Sequence, residues 1–328
     1  MSHGTAFHEG IDRIYAAFVS ELPEDLAAIA HDLPHRLGLT PNSGTPWSRI
    51  FNNPAVLGLP ALLFVDTKRV PDELRRTATA AHLFAIIGAF GRDRIDDGQL
   101  VVGLRERAIL ERIHRARDAA LAPLLAAAPS CNFDFAWGER LTAESVAEER
   151  ATASGREPAT MARYLAISWK KQGLAFPAAL VAAAAAGYSA KEQQQVLAVV
   201  AGAALGLQYR DDVVDWLDDL AQGFAWAPAM FARPVRHASV DTLAARLHVE
   251  GGLVKLLSRS STAFGWAADA ARSLGAEALA VWAREQADIT ADLARREAAR
   301  PGFAVAWERE RKARREQRQV LTAAAAAA

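Results

Sequence analysis

The chain is poor in cysteine and carries no net charge. Cys131 is the only cysteine among the 328 residues, so no intrachain disulfide can form, as is usual for proteins of the reducing cytoplasm. Lysine and arginine number 38, as do aspartate and glutamate, which gives a net charge of zero. A balanced charge argues against binding to nucleic acid or to an anionic membrane. We therefore expect a cytoplasmic protein with no nucleic-acid partner.

Long hydrophobic runs and strand patterns are missing as well. The longest apolar run, Leu174–Tyr188, is too short and too rich in alanine for a membrane span. Met1–Gly10 lacks the basic segment followed by an apolar one that marks a signal peptide. No segment alternates apolar and polar residues as a half-buried β-strand does. These absences predict a soluble protein without an integral membrane span and without a β-sheet.

Helical periodicity is present instead along the whole chain. Segments rich in Ala, Leu, Glu and Arg place apolar residues every three to four positions. Breaks carry Gly, Pro, Asn or Ser, and Ser189 with Glu192 predicts a capping box. No linker is long enough to divide the chain, so we predict a single all-α domain over residues 1–322 and a low-complexity alanine tail at 323–328. The predicted helices are Glu9–Ala30, Arg49–Asp66, Pro71–Phe90, Arg105–Ala128, Thr142–Ala153, Pro158–Ser168, Leu174–Ala186, Ala190–Ala221, Ser239–Ser258, Ser261–Leu274, Glu277–Arg296 and Ala304–Thr322.

One predicted helix concentrates negative charge on one face. Asp211, Asp212, Asp215, Asp218 and Asp219 place five carboxylates within nine residues. On an α-helix they fall within about 120° of the circumference. Like charges one turn apart repel each other, and hard divalent cations, which prefer oxygen ligands, would offset that repulsion. We predict that the first three aspartates bind metal, while the last two support the ligands or face solvent.

A second acidic cluster ends another apolar helix. Asp93 and Asp97 are one turn apart, and Asp96 lies beside them. Carboxylates at a helix C-terminus oppose the helix dipole and therefore need compensation. One such cluster is typical of a solvated helix end, but two that each close a long apolar helix indicate facing metal sites. We predict all three aspartates as metal ligands.

Several divalent ions in one place imply a highly anionic ligand. Magnesium commonly binds through carboxylates together with substrate phosphates, so a diphosphate is the natural ligand. An apolar cavity behind the acidic helix ends would suit an allylic prenyl diphosphate, whose carbon–oxygen bond ionises as the metals stabilise the departing diphosphate. We predict Asp93, Asp97, Asp211 and Asp215 as the catalytic residues. The predicted cavity residues on the same helices are Phe84, Ile87, Phe90 and Leu207.

Two segments resemble trans-isoprenyl diphosphate synthases, a family of the isoprenoid synthase superfamily. Residues 208–215, which read Gln-Tyr-Arg-Asp-Asp-Val-Val-Asp, resemble the second aspartate-rich motif of that family. Tyr164–Phe176 is similar to its Tyr-x-x-Ile-x-x-x-Lys-Thr segment. The resemblance places Lys171 at the position of the lysine that binds the diphosphate. We predict Arg210 and Gln208, within the aspartate motif, as further diphosphate contacts.

The resemblance implies the fold, the metal and the assembly. The expected fold is a single-domain helical bundle of the isoprenoid synthase type around a central apolar cavity. The expected cofactor is Mg²⁺, as three ions bound together with the substrate diphosphate. A homodimer formed through long helices is compatible with the resemblance. The first motif departs from the family's Asp-Asp-x-x-Asp, since Asp93–Asp97 keeps the outer aspartates and has Arg94 in second place.

Further departures concern the site for a second substrate. Chain-elongating members carry Gly-Gly-Lys-Arg-x-Arg-Pro near the N-terminus, and its cations hold isopentenyl diphosphate. Here Pro54–Pro60 reads Pro-Ala-Val-Leu-Gly-Leu-Pro, and Gly98–Val102 stands where those members have Arg-Arg-Gly. Phe224 and Trp226 stand where a lysine follows the second motif, and we predict that they line the cavity or contact carbocations through their rings.

These departures predict a magnesium-dependent terpene synthase, a carbon–oxygen lyase. It would ionise one prenyl diphosphate of the farnesyl or geranylgeranyl class and release a cyclised or linear terpene. Two alternatives stay open. One is a prenyltransferase or isoprenyl diphosphate synthase, and the other is a non-catalytic prenyltransferase subunit. The degenerate first motif is compatible with the second alternative, whereas the intact second motif argues against it.

Overall fold

The computed structural model describes residues 3–51, 53–96, 100–216 and 247–299. Within these ranges every regular element is a helix, so the predicted all-α class is confirmed. No helix in them is long and apolar enough to cross a membrane. The helices are α1 (His3–Ser20), α2 (Glu24–His31), α3 (Leu33–Arg36), α4 (Trp47–Ile50), α5 (Pro54–Phe64), α6 (Asp72–Asp96), α7 (Leu104–Ala127), α8 (Phe135–Ala153), α9 (Met161–Lys171), a 3₁₀ helix (Gln172–Ala175), α10 (Pro177–Ala185), α11 (Ala190–Val214), α12 (Gly252–Ser273) and α13 (Glu277–Ala298).

The described residues form two compact units. The first takes residues within Met1–Ser145, Trp169–Ala204 and Trp266–Ala283, and the second takes those within Val146–Ser168, Leu205–Gly265 and Arg284–Ala328. The prediction of a single domain over residues 1–322 stays a prediction.

Helix α6 supplies much of the core of the first unit. It packs against α5, α7 and α10, and most of its side chains from Ala78 to Gly88 are buried. A helix that is apolar on all sides is one surrounded by other elements. Gly91 allows α7 to come close, because a Cβ there would lie 2.5 Å from Leu110 Cδ2.

Helix α5 begins with a side-chain cap and bends in its middle. Asn53 Oδ1 accepts a hydrogen bond from Ala55 N at 3.1 Å, and Pro54 occupies the first position, where a missing N–H costs little. Gly58 leaves the helical region with φ −136° and ψ 30°. Pro60 follows and cannot donate to the helical hydrogen bonds, so the helix bends at this point.

The core of the second unit joins α9, α11 and α12. Its buried members are Tyr164, Ile167, Tyr209, Leu256 and Ala263.

Helices α11 and α12 approach closely at Gly206. A Cβ at Gly206 would lie 2.7 Å from the ring of Phe264. Ser260 Oγ on α12 donates a hydrogen bond to Gly206 O at 2.6 Å. The missing side chain therefore brings the aspartate-bearing end of α11 into contact with α12.

Several predicted helix boundaries are wrong, among them those of Arg49–Asp66, which the structure shows as two helices, α4 and α5. The predicted helix Glu9–Ala30 is two helices, because Pro23 has no N–H and α2 begins directly after it. The predicted break between Ser258 and Ser261 does not occur, since α12 is continuous. Ser258 Oγ donates to Val254 O at 2.8 Å, a local bond that a helix accommodates.

The predicted capping box at the start of α11 is confirmed. Ser189 N donates to Glu192 Oε2 at 2.6 Å, and Glu192 N donates to Ser189 Oγ at 3.4 Å. The predicted helix Ala304–Thr322 and the alanine tail lie outside the described residues.

Candidate functional site

The second aspartate cluster lies where α11 ends. Asp211 and Asp212 belong to the last turn of the helix, and Asp215 follows directly after it. Asp215 N donates to Asp211 O at 2.9 Å, so the helical turn continues to residue 215. Asp211 and Asp215 are exposed and one turn apart, which places them on the same face. Asp218 and Asp219 lie outside the described residues.

Asp212 has different surroundings because it is half-buried and accepts two hydrogen bonds. Tyr164 Oη donates to Asp212 Oδ2 at 2.5 Å, and Gln208 Nε2 donates to Asp212 Oδ1 at 3.0 Å. Burial, and then the negative charge of Asp212, raise the pKa of Tyr164. The phenol therefore keeps its proton and acts as the donor.

Tyr164 is buried in the core of the second unit. Its side chain is 1% exposed, and its ring centroid lies 5.6 Å from that of Tyr209. Burial raises the pKa of Tyr209 to about 12. No role was predicted for Tyr164, although this residue begins the segment that resembles the family. Its place at the start of that segment was the only feature of the sequence that indicated a functional role.

Arg210 contacts two side chains of the second unit, Gln286 and Phe264. Its Nη1 donates to Gln286 Oε1 on α13 at 2.8 Å, and its guanidinium lies 5.6 Å from the ring centroid of Phe264. Burial lowers the pKa of Arg210, and the neighbouring Asp211 opposes that shift. Gln208, the other predicted diphosphate contact on α11, donates to Asp212. For both side chains the diphosphate contact stays a prediction.

Lys171 is the last residue of α9 and is partly buried. Its neighbour Lys170 forms an ion pair with Glu144 on α8, with Nζ 3.0 Å from Oε2. The 3₁₀ helix that follows comes very close to α8. A Cβ at Gly173 would lie 2.4 Å from Gly138 O, so neither glycine has room for a side chain. This contact was not predicted from the sequence, because it joins two glycines that are far apart in the chain.

The first aspartate cluster lies in the last turn of α6. Asp93 and Asp96 are exposed, and Asp97 lies outside the described residues. The neighbouring arginines reach other elements. Arg92 Nη2 lies 3.3 Å from His114 Nε2 on α7, and Arg94 Nη1 donates to Gly38 O at 3.3 Å.

Two of the predicted cavity residues belong to the core of the first unit. Phe84 is 5% exposed, with its ring centroid 5.2 Å from that of Phe18, and Ile87 is fully buried in the same cluster. Phe90 stacks on Phe51 with centroids 4.7 Å apart.

Leu207 is partly buried on α11. Phe224 and Trp226 lie outside the described residues. The assignment of all six side chains to a cavity stays a prediction.

The donor set fits a metal that is shared with a ligand. Among the described residues, no group of three or more His, Cys, Asp or Glu side chains is placed to hold a metal ion. Magnesium usually takes one or two carboxylates and completes its coordination with water and substrate phosphates. Asp211 and Asp215 offer that number of exposed oxygen donors on one face. They would hold a magnesium ion that also binds a diphosphate.

No protein-family model and no curated protein matches the sequence. Among solved structures, the chain is similar to the crystal structure of a polyprenyl synthetase from Streptomyces coelicolor A3(2), with a TM-score of 0.57 and 15% sequence identity. The match covers 87% of this chain and 99% of that chain. At this identity the likeness concerns the fold alone. The predicted isoprenoid synthase-type helical fold is thereby confirmed.

Proposed function

We propose that the protein is a magnesium-dependent terpene synthase that ionises one allylic prenyl diphosphate of the farnesyl or geranylgeranyl class. Its products would be a cyclised or linear terpene and inorganic diphosphate. The fold shared with a polyprenyl synthetase supports a prenyl diphosphate substrate. The exposed carboxylates of Asp211 and Asp215 at the end of α11 support a metal-bound diphosphate.

The surroundings of α5 favour a single substrate. By the sequence resemblance, this helix corresponds to the segment whose cations hold isopentenyl diphosphate in chain-elongating members of the trans-isoprenyl diphosphate synthase family. Ala55, Leu57 and Leu59 are each only 3% exposed, and the helix packs against α6 and α10. An apolar core helix offers no charge to a second diphosphate. This observation carries the proposal that no isopentenyl unit is added.

His82 adds no positive charge to this helix. Its Nε2 lies 3.0 Å from Val56 O, and burial lowers its pKa to about 4. The imidazole is therefore neutral at pH 7. It donates to the carbonyl of α5 as a neutral side chain.

The proposed reaction needs no nucleophilic side chain. The carbon–oxygen bond of the allylic diphosphate breaks, and its electron pair leaves with the diphosphate. A double bond of the same chain attacks the resulting cation and closes a ring, or the chain stays linear. In either case the final cation loses a proton, or adds water and then releases a proton. Magnesium supplies Lewis-acid stabilisation of the leaving diphosphate. Asp211 and Asp215 would hold the ion, and Lys171 would contact the diphosphate.

Product analysis tests the proposal directly. The purified protein is incubated with magnesium and geranyl, farnesyl or geranylgeranyl diphosphate, singly and together with isopentenyl diphosphate. Hexane extracts are analysed by gas chromatography–mass spectrometry, and diphosphates by liquid chromatography–mass spectrometry. A hydrocarbon or alcohol from a single substrate supports the synthase. A longer diphosphate formed only with isopentenyl diphosphate would establish the prenyltransferase instead, and absence of any product would favour a non-catalytic subunit.

Matched aspartate variants show whether turnover depends on the clusters. Asp211→Asn and Asp93→Asn each remove one charge and keep the side-chain shape, and we expect each to lose about 100-fold or more in turnover. Asp288→Asn on α13 changes an exposed aspartate outside both clusters and should leave turnover unchanged. Full activity in Asp93→Asn would show that the degenerate first motif binds no metal.

A further inference from the structure

Asp212 is half-buried, unlike the exposed Asp211 and Asp215, and each of its two oxygens accepts a hydrogen bond. Tyr164 Oη reaches Oδ2 from α9, and Gln208 Nε2 reaches Oδ1 from one turn earlier on α11. Donors on both oxygens hold the carboxylate in one orientation. Both of these donors are neutral, so neither adds positive charge beside the carboxylate.

The tyrosine is the more deeply buried of the two donors. Its ring is enclosed by apolar side chains of the second unit, whereas Gln208 is only partly buried. The hydrogen bond therefore fixes the carboxylate relative to the core.

We propose that Tyr164 is a positioning residue, which acts on the diphosphate-bound magnesium through Asp212. This inference rests on the proposed function. A carboxylate oxygen can accept more than one hydrogen bond or cation, so each oxygen of Asp212 keeps acceptor capacity for a magnesium ion or for a water bound to it. Hydrogen bonds from neutral donors to a carboxylate are strong, and they spread its charge without cancelling it. Tyr164 thus reduces the repulsion among three adjacent carboxylates and preserves their total charge.

A structural role alone would give a different pattern of effects. If the hydrogen bond only joined α9 to α11, its loss would lower the stability and leave metal affinity unaltered. If Tyr164 orients Asp212, its loss weakens magnesium binding while the protein stays folded. Partners that orient metal ligands typically contribute about 10- to 100-fold to metal affinity or activity.

The test uses Tyr164→Phe, which removes the hydroxyl and leaves the ring in the core. The matched control is Tyr209→Phe, which removes a hydroxyl from the same cluster. This hydroxyl is not one of the two donors to Asp212 described above. Titration calorimetry gives the dissociation constant of magnesium in the presence of inorganic diphosphate. Turnover of the substrate gives the magnesium concentration at which the rate is half-maximal. Both quantities should rise about 10-fold in Tyr164→Phe and stay unchanged in Tyr209→Phe. Saturating magnesium should restore turnover.

A double-mutant cycle with Asp212→Asn separates an effect through Asp212 from a general effect on the core. Tyr164→Phe should weaken binding in the wild-type background and have no further effect in the Asp212→Asn background. Circular dichroism and thermal midpoints monitor folding of each variant. If Tyr164→Phe does not fold, Gln208→Ala in the same cycle replaces it, because Gln208 donates to the other oxygen of Asp212.

The outcomes distinguish the two proposals. Wild-type affinity in Tyr164→Phe, or an equal loss in both backgrounds of the cycle, overturns the positioning role and leaves the proposed function intact. An equal loss in Tyr209→Phe also overturns it. If the wild-type protein binds neither magnesium nor diphosphate, the proposed function is wrong and the positioning role falls with it.

Discussion

At the scale of the residue, the aspartates that end α11 have the same chemistry but different surroundings. Asp211 and Asp215 are exposed, whereas Asp212 is half-buried and accepts hydrogen bonds from Tyr164 and Gln208. Their spacing along the chain predicted a shared face but not this difference. The difference arises because Tyr164 belongs to another helix, which packs against α11 in the folded protein.

His82 leads to a prediction about stability and pH. In the folded protein its pKa is lowered from 6.5 to about 4 by burial, while in the unfolded chain it stays near 6.5. As the pH falls from 6.5 to 4, the unfolded chain takes up a proton that the folded protein does not. This difference stabilises the unfolded state by about 3 kcal/mol at pH 4 and by almost nothing at pH 7.

The measurement compares wild type with His82→Gln, whose amide can donate to Val56 O without titrating. Urea unfolding at pH 7, 5.5 and 4.5 gives the free energy of unfolding of both proteins. The stability of the wild type relative to His82→Gln should fall as the pH is lowered. A difference that stays constant with pH would contradict a buried neutral histidine.

At the scale of the element, α8 and the 3₁₀ helix that follows α9 are in close contact. Gly138 and Gly173 face each other without room for a side chain. Thr142 Oγ1 donates to Gly138 O at 3.0 Å in the same region. The contact holds the segment that follows Lys171, the predicted diphosphate contact.

We expect Gly173→Ala to destabilise the protein by about 1–3 kcal/mol, because its Cβ would lie 2.4 Å from Gly138 O and the two segments would have to separate. Gly265→Ala is the matched control within α12. A Cβ there meets nothing within 4 Å, and alanine should stabilise the helix by about 0.5–1 kcal/mol. Denaturant unfolding of both variants measures these changes, and equal stabilities would show that the close contact does not exist.

At the scale of the whole molecule, ligand binding should change the stability of the fold. A ligand that binds only the folded state stabilises it by about 2.7 kcal/mol at 100 times its dissociation constant. If a diphosphate-bridged magnesium site exists, magnesium and inorganic diphosphate together should raise the thermal midpoint by several degrees. Each alone should have a smaller effect, because the carboxylates and the phosphates share the ion.

Differential scanning fluorimetry with magnesium, with diphosphate and with both measures this effect, and EDTA should reverse it. Asp211→Asn should abolish the joint effect without lowering the midpoint of the unliganded protein by a similar amount. Identical midpoints in buffer alone and in these three solutions would contradict the metal site.

The sequence alone determined the all-α class, the capping box at Ser189 and the positions of the aspartates on α11. These features are local, since helical periodicity, capping and spacing on a helix face depend on residues within a few turns of one another. The sequence pattern was a weaker guide to where individual helices begin and end. Pro23 divided a predicted helix, and the serines of α12 did not interrupt theirs.

The tertiary structure decided which side chains from distant segments meet. In the folded protein Tyr164 donates a hydrogen bond to Asp212, and α5 is buried against α6 and α10. Gly173 lies in close contact with Gly138. None of these contacts has a periodic signature, because each joins segments whose separation along the chain places no limit on their distance in space. The charge on α11 follows from the sequence, whereas the orientation of its half-buried carboxylate follows from the packing of α9.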